Sequence, residues 1–186
     1  TMTAEKQSAL QTIEEKRDLI TGIADKIWEF AELSLQEFKS AAAYCEALEK
    51  EGFEVERGTC NIETAFAASY GHGRPYIGIL AEYDALSRLS QEAGLLERKA
   101  IQKDGNGHGC GHNLLGAGAF AAALGVKAYL EKNEMEGTVI LYGCPGEEGG
   151  AAKAFMARDG LWKKLDAALT WHPEDVNEVA TGSSNS

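Results

Sequence analysis

Residues 137–150 read GTVILYGCPGEEGG: an apolar run through Val139, Ile140 and Leu141, then a Gly/Pro-bounded turn holding two adjacent glutamates. An uninterrupted apolar run of strand length, closed by turn residues, is the pattern of a strand buried on both faces. Working outward, a helix is expected at about 150–158, ending at Gly160, and another strand at 166–171. Upstream, Tyr76 to Ala81 reads as a strand, and an Ala-rich helix is expected from Asn113 to Glu131. Strand, helix, strand, helix, strand in that order calls for right-handed crossovers and a largely parallel sheet covered on both faces. The expected fold is therefore α/β, a three-layer α/β/α domain.

The first third is helical by period. Leu10, Ile13, Ile20, Ile23, Ile27, Phe30 and Ala31 recur at helical spacing, so one long amphipathic helix is expected from Ala4 to about Glu32. A second helix, Glu37 to Glu51, carries Phe38, Ala41, Cys45 and Leu48 on one side and is capped by Gly52. Phe53 to Arg57 alternates as a half-exposed strand. Glu63 to Tyr70 and Tyr76 to Ala81 flank Gly71-His72-Gly73-Arg74, which reads as a tight hairpin turn. The loop from Glu82 to His112 is too long for a plain connector, and loops of that length are usually functional or disordered.

Composition narrows the possible partners. A net charge of −11 argues against nucleic acid, whose phosphates need clustered Lys and Arg. No apolar run approaches the roughly 20 residues of a membrane span, and no basic-then-apolar stretch of the secretory kind opens the chain, so no membrane partner is expected. Cys45, Cys60, Cys110 and Cys144 form no C-x-x-C pair and are too few for a disulfide scaffold, which favours a reducing cytoplasm. Cys45 reads as core.

In open parallel sheets, sites form at the carboxyl ends of strands. Glu82-Tyr83-Asp84 follows the first parallel strand, and Gly107-His108-Gly109-Cys110-Gly111-His112 leads into the Ala-rich helix. Glu147-Glu148 follows the second strand, and His172-Pro173 the third. A thiolate and an imidazole two residues apart reach one ion if the backbone bends, which flanking glycines permit. Two adjacent carboxylates point different ways, so one of Glu147 and Glu148 can bind metal while the other handles protons; the blander alternative is a solvated acidic turn. His172 is either a ligand or a satisfied core histidine. Asp84 either orients a liganding histidine or caps its loop. His108 reads as structural and His72 as surface. Gly116-Ala117-Gly118 superficially fits a dinucleotide fingerprint, but it lies inside a helix, where no free N–H groups face a phosphate.

Taken together, GHGCGHN before LLGA, the earlier AEYDAL, EEGG and TWHP resemble the aminoacylase/carboxypeptidase-type metallo-amidohydrolases over nearly the whole chain. The resemblance implies a zinc-exopeptidase-like domain holding two divalent ions, Zn or Mn. It also implies hydrolysis of the amide bond of N-acyl amino acids, dipeptide-like or p-aminobenzoyl-glutamate-like substrates. Carried over by motif, Cys110 would bridge the ions and His112 would bind one. Glu148 and His172 would complete the ligands on opposite ions, Glu147 would be the general base, and Asp84 the supporting aspartate. Ser87 stands where the family commonly has proline, and Cys144 and Gly146 where it has Thr and Ala; these bear on substrate detail. The family adds a further histidine from a later segment, after a lid-and-dimerisation domain that would begin near Ala180–Ser186. The chain therefore reads as the front part of the catalytic domain, with little activity and weak metal binding alone. The full-length protein is expected to be a homodimer or hetero-oligomer. The alternative is a non-catalytic α/β module with one structural metal or none.

Overall fold

The computed structural model describes residues 2–179; the segment 180–186, where the insertion is expected to begin, lies outside the described residues. Five helices are named in chain order: α1 (Ala4–Glu15), α2 (Arg17–Phe30), α3 (Phe38–Lys50), α4 (His112–Lys132) and α5 (Ala152–Arg158). Five strands, β1 (Glu54–Arg57), β2 (Phe66–His72), β3 (Tyr76–Ala81), β4 (Gly137–Gly143) and β5 (Ala167–Leu169), form one sheet in the order β1-β2-β4-β3-β5.

β4 is the centre of the sheet. Every residue of it is buried, as an apolar run bounded by glycines requires. Val139 and Leu141 face a core built with Ile27, Tyr44, Leu48, Phe66 and Phe120 from α2, α3, β2 and α4. Ile140 and Tyr142 face the opposite side, a smaller core closed by Met156 of α5, Trp162 of the 3₁₀ turn at Leu161–Lys164, and Leu165 just after it. The three expected layers are therefore present, thick on one face and thin on the other.

Three details differ from the sequence reading. The sheet is mixed: β4-β3-β5 is parallel, whereas β1-β2 and β2-β4 are antiparallel. Consequently β2 and β3 are not a hairpin. β4 lies between them, because a strand apolar on both faces belongs at the centre with a neighbour on each side. Thr138 seals the junction: its N–H donates to the Pro75 carbonyl and its hydroxyl to that of Gly73. The long N-terminal helix is also two helices, turning at Lys16 (φ −94°, ψ 10°). A straight helix over that stretch would span roughly 40 Å, against roughly 30 Å for α4, so the turn keeps both halves against it.

α4 is, among the described residues, the one helix long and apolar enough by length and composition to cross a membrane, so an apolar stretch of that length is present after all. More than half of its apolar window is buried inside the fold, where it is the central core helix. Its glycines are contact points. At Gly116 an added Cβ would lie 2.5 Å from the Tyr44 hydroxyl, at Gly125 2.7 Å from Ile13, and at Gly118 it would overlap the Trp171 indole. The pair that superficially fits a dinucleotide motif thus exists for close packing.

Candidate metal centre

The extended chain continues past β3, and its two-residue period sends Glu82 and Asp84 to one side and Tyr83 to the other. Tyr83 is fully buried, stacks on Phe66 and donates to the Thr64 carbonyl at 2.6 Å. Asp84, 1% exposed, faces the start of α4. There Gly111 takes a left-handed conformation (φ 75°) as the N-cap, placing His112 at the first helical position with no exposure to solvent.

Asp84 ties two parts of the site together. Its Oδ1 accepts from His112 Nδ1 at 2.9 Å, which fixes the ring's tautomer and points Nε2 the other way. Its Oδ2 accepts from the Glu148 backbone N–H at 2.9 Å and the Ser34 hydroxyl at 3.0 Å. Burial works against ionisation of Asp84, but these hydrogen bonds outweigh it and hold the carboxyl below its ordinary value. The same pairing, again against burial, raises His112.

His112 Nε2 is buried and makes no hydrogen bond. Around it stand Glu82 Oε2 at 3.1 Å, Glu147 Oε2 at 3.8 Å and Glu148 Oε1 at 4.0 Å. Cys110 Sγ lies 3.3 Å from His172 Nε2, and the rings of His112 and His172 are 5.7 Å apart. His172 Nδ1 donates to the Pro173 carbonyl at 3.0 Å, leaving Nε2 for the site. Two sets, Cys110/His112/His172 and Glu82/His112/Glu147, each bring their ligand atoms within 4.8 Å of one another. Burial, then the hydrogen bond and charge of Glu148, push the Cys110 thiol up to about 11, so without a cation this sulfur keeps its proton.

All six residues singled out in the sequence thus meet: Asp84, Cys110, His112, Glu147, Glu148 and His172. His108 does not join them; its Nε2 bonds the Ile27 carbonyl at 2.9 Å, a structural role as expected. His72 is exposed at the end of β2, and Cys45 is core. The residue missed is Glu82, whose other oxygen pairs with Lys153 of α5. Its signal is Glu-x-Asp at a strand end, where alternation puts both carboxylates on one side. Glu37, remote in sequence, is missed too. It is fully buried and accepts from Gly146 N–H at 2.7 Å; burial pushes its carboxyl up to about 7.

The third strand's contribution depends on α4. Trp171 Nε1 donates to the Leu115 carbonyl at 3.0 Å while its ring covers Gly118. Gly118→Ala is expected to push the indole away, destabilising the chain by about 1–3 kcal/mol. It should also displace His172 next door; chemical denaturation followed by tryptophan fluorescence checks the first effect and metal affinity the second.

The chain is similar to several known proteins. Over 162 residues the chain is 54% identical to one of the subunits of p-aminobenzoyl-glutamate hydrolase from Escherichia coli (strain K12), covering 87% of this chain and 34% of that protein. It is 28% identical to the Xaa-Arg dipeptidase of Mus musculus, covering 92% of this chain and 39% of the dipeptidase. The chain therefore spans little more than a third of these relatives. Among solved structures, Bacillus subtilis YXEP, a dinuclear metal binding peptidase from the M20 family, superposes with a TM-score of 0.69 at 25% identity, over 87% of this chain and 44% of its own. The profile of peptidase family M20/M25/M40 matches residues 78–183, more than half of the sequence and the whole of the strand-end cluster, and the chain belongs to that family.

Proposed function

We propose that this chain is the front part of the catalytic domain of a metal-dependent amidohydrolase acting on N-acyl amino acids or p-aminobenzoyl-glutamate-like compounds. The observation that carries this reading is His112 Nε2: a fully buried nitrogen, on the far side of the ring from Asp84, surrounded by three carboxylates and without a hydrogen bond of its own. Such an atom is costly to bury unless a cation completes it. The donor set fits. Thiolate, imidazole and carboxylate together suit zinc better than manganese, which is harder to reconcile with sulfur.

In this reading Cys110, His112, Glu148 and His172 would hold the ions. When bound there, divalent ions would supply Lewis acidity for the amide carbonyl and a water acidified towards a pKa of about 7. Glu147, more exposed than Glu148, would take the water proton on its carboxylate as the C–O bond forms and return it to the amine nitrogen, whose C–N bond then breaks. Asp84 keeps the His112 Nε2 lone pair directed into the site. Because four ligands are few for two ions, a further donor from outside this chain is part of the proposal. The Escherichia coli relative is by its name one subunit of a larger hydrolase, which supports a hetero-oligomer for the full-length protein.

The test is metal analysis of the full-length polypeptide together with turnover of p-aminobenzoyl-glutamate and N-acetyl amino acids. Two ions per chain with metal-dependent amide hydrolysis is the expected result; one tightly held ion without turnover would establish the structural-metal alternative. Glu82→Gln is expected to weaken metal binding about tenfold, since the carboxylate nearest Nε2 loses its charge, as measured by chelator competition.

A further inference from the structure

The connector between α2 and α3, residues 31–37, lies outside the segment that the family profile matches, yet it touches both strand-end segments of the site. Its Glu32 carbonyl accepts from Ala85 N–H at 2.8 Å, and Ser34 donates to Asp84. The Leu35 side chain packs beneath Gly146 and Gly150, so closely that an added Cβ would lie 3.0 Å and 2.8 Å from it. Glu37 completes the set, with its 2.7 Å hydrogen bond from Gly146 N–H. Residues 146–150 accordingly hang from three anchors: Asp84 at Glu148, Leu35 under the glycines, and Glu37 at Gly146.

We infer that Glu37 is a positioning residue of the metal centre, its buried carboxyl oxygen fixing the loop from which Glu147 and Glu148 project. This rests on the metal-centre reading above. The carboxyl touches none of the candidate ligands; it acts through one backbone N–H two residues before Glu148. A purely space-filling role does not account for a carboxyl here. Its second oxygen, Oε2, is buried with the Thr64 hydroxyl as its one polar neighbour, so a carboxyl is retained where desolvation disfavours its charge. What the carboxyl supplies that a methionine would not is an acceptor for Gly146 N–H. Gly146 sits at φ 67° at the head of the turn, and its carbonyl in turn receives the N–H groups of Gly150 and Ala151 at 2.7 Å and 2.6 Å. Shifting that peptide moves the whole glutamate loop.

The test uses Glu37→Met, which keeps volume and removes the acceptor, and Glu37→Gln, which keeps the acceptor, both in the full-length polypeptide. Zinc affinity by chelator competition should fall about tenfold or more for the Met variant and stay within about threefold of wild type for the Gln variant. Hydrogen exchange of the metal-free protein should quicken in residues 144–150 of the Met variant and stay unchanged in β4, a pattern that general destabilisation would not give. Wild-type affinity in the Met variant, or equal loss in both, overturns the inference. If the Met variant does not fold, Glu37→Asp, with the carboxyl drawn back one methylene, takes its place. Wild-type protein that takes up no zinc would instead sink the metal-centre reading, while the exchange comparison still decides whether Glu37 holds the loop.

Discussion

Glu147→Gln in the full-length polypeptide is expected to cut kcat by about 10²–10⁴, the range that positioned proton transfer supplies, with metal stoichiometry and KM little changed. The amide side chain keeps the size and hydrogen-bonding reach of the glutamate but accepts no proton at neutral pH. Glu147 suits the role because it is the less enclosed of the pair: its side chain is 43% exposed against 25% for Glu148. It is also free of the Asp84 contact that fixes the Glu148 backbone. Steady-state kinetics alongside metal content checks the prediction. Unchanged kcat would move the base elsewhere, and loss of an ion would make Glu147 a ligand.

The second large effect is expected from His112→Ala. Two losses coincide. The Nε2 donor disappears from both candidate ligand sets, and Asp84 is left buried with its carboxylate facing a cavity. Removing the partner of a buried carboxylate costs about 3–5 kcal/mol, and an ion that depended on Nε2 should not be retained. Urea unfolding of metal-free protein isolates the first effect; equilibrium dialysis with zinc measures the second. A variant as stable as wild type would mean that Asp84 is satisfied by Ser34 and Glu148 N–H alone.

Much of this is legible from residue order. The unbroken Val139-Ile140-Leu141 run identifies the central strand, and chemistry-bearing residues after three successive strands foretell one site, because parallel strands end on one edge. Two kinds of information are not local. Nothing in Gly71–Arg74 says that β4 slips between β2 and β3, since a turn sequence records the reversal of the chain and not what is inserted in the gap. Nor does periodicity reveal the break at Lys16, which comes from the length of the helix underneath. Within the site, Glu82 is visible in the two-residue alternation but is easily overshadowed by Asp84 beside it. Glu37 carries no signal, because its partner is a backbone N–H more than a hundred residues away.

The glycine contacts of α4 have a consequence for anyone redesigning this protein. With Tyr44 pressed against Gly116 and Trp171 and Ile13 against Gly118 and Gly125, two opposite sides of that helix are closely packed, so this wall of the domain is closed to mutational exploration. Exchange is tolerated instead in the solvent-facing excursion between the Leu86 and Gly107 bridge partners, where Leu95, Leu96 and Ile101 are exposed and lie off the frame.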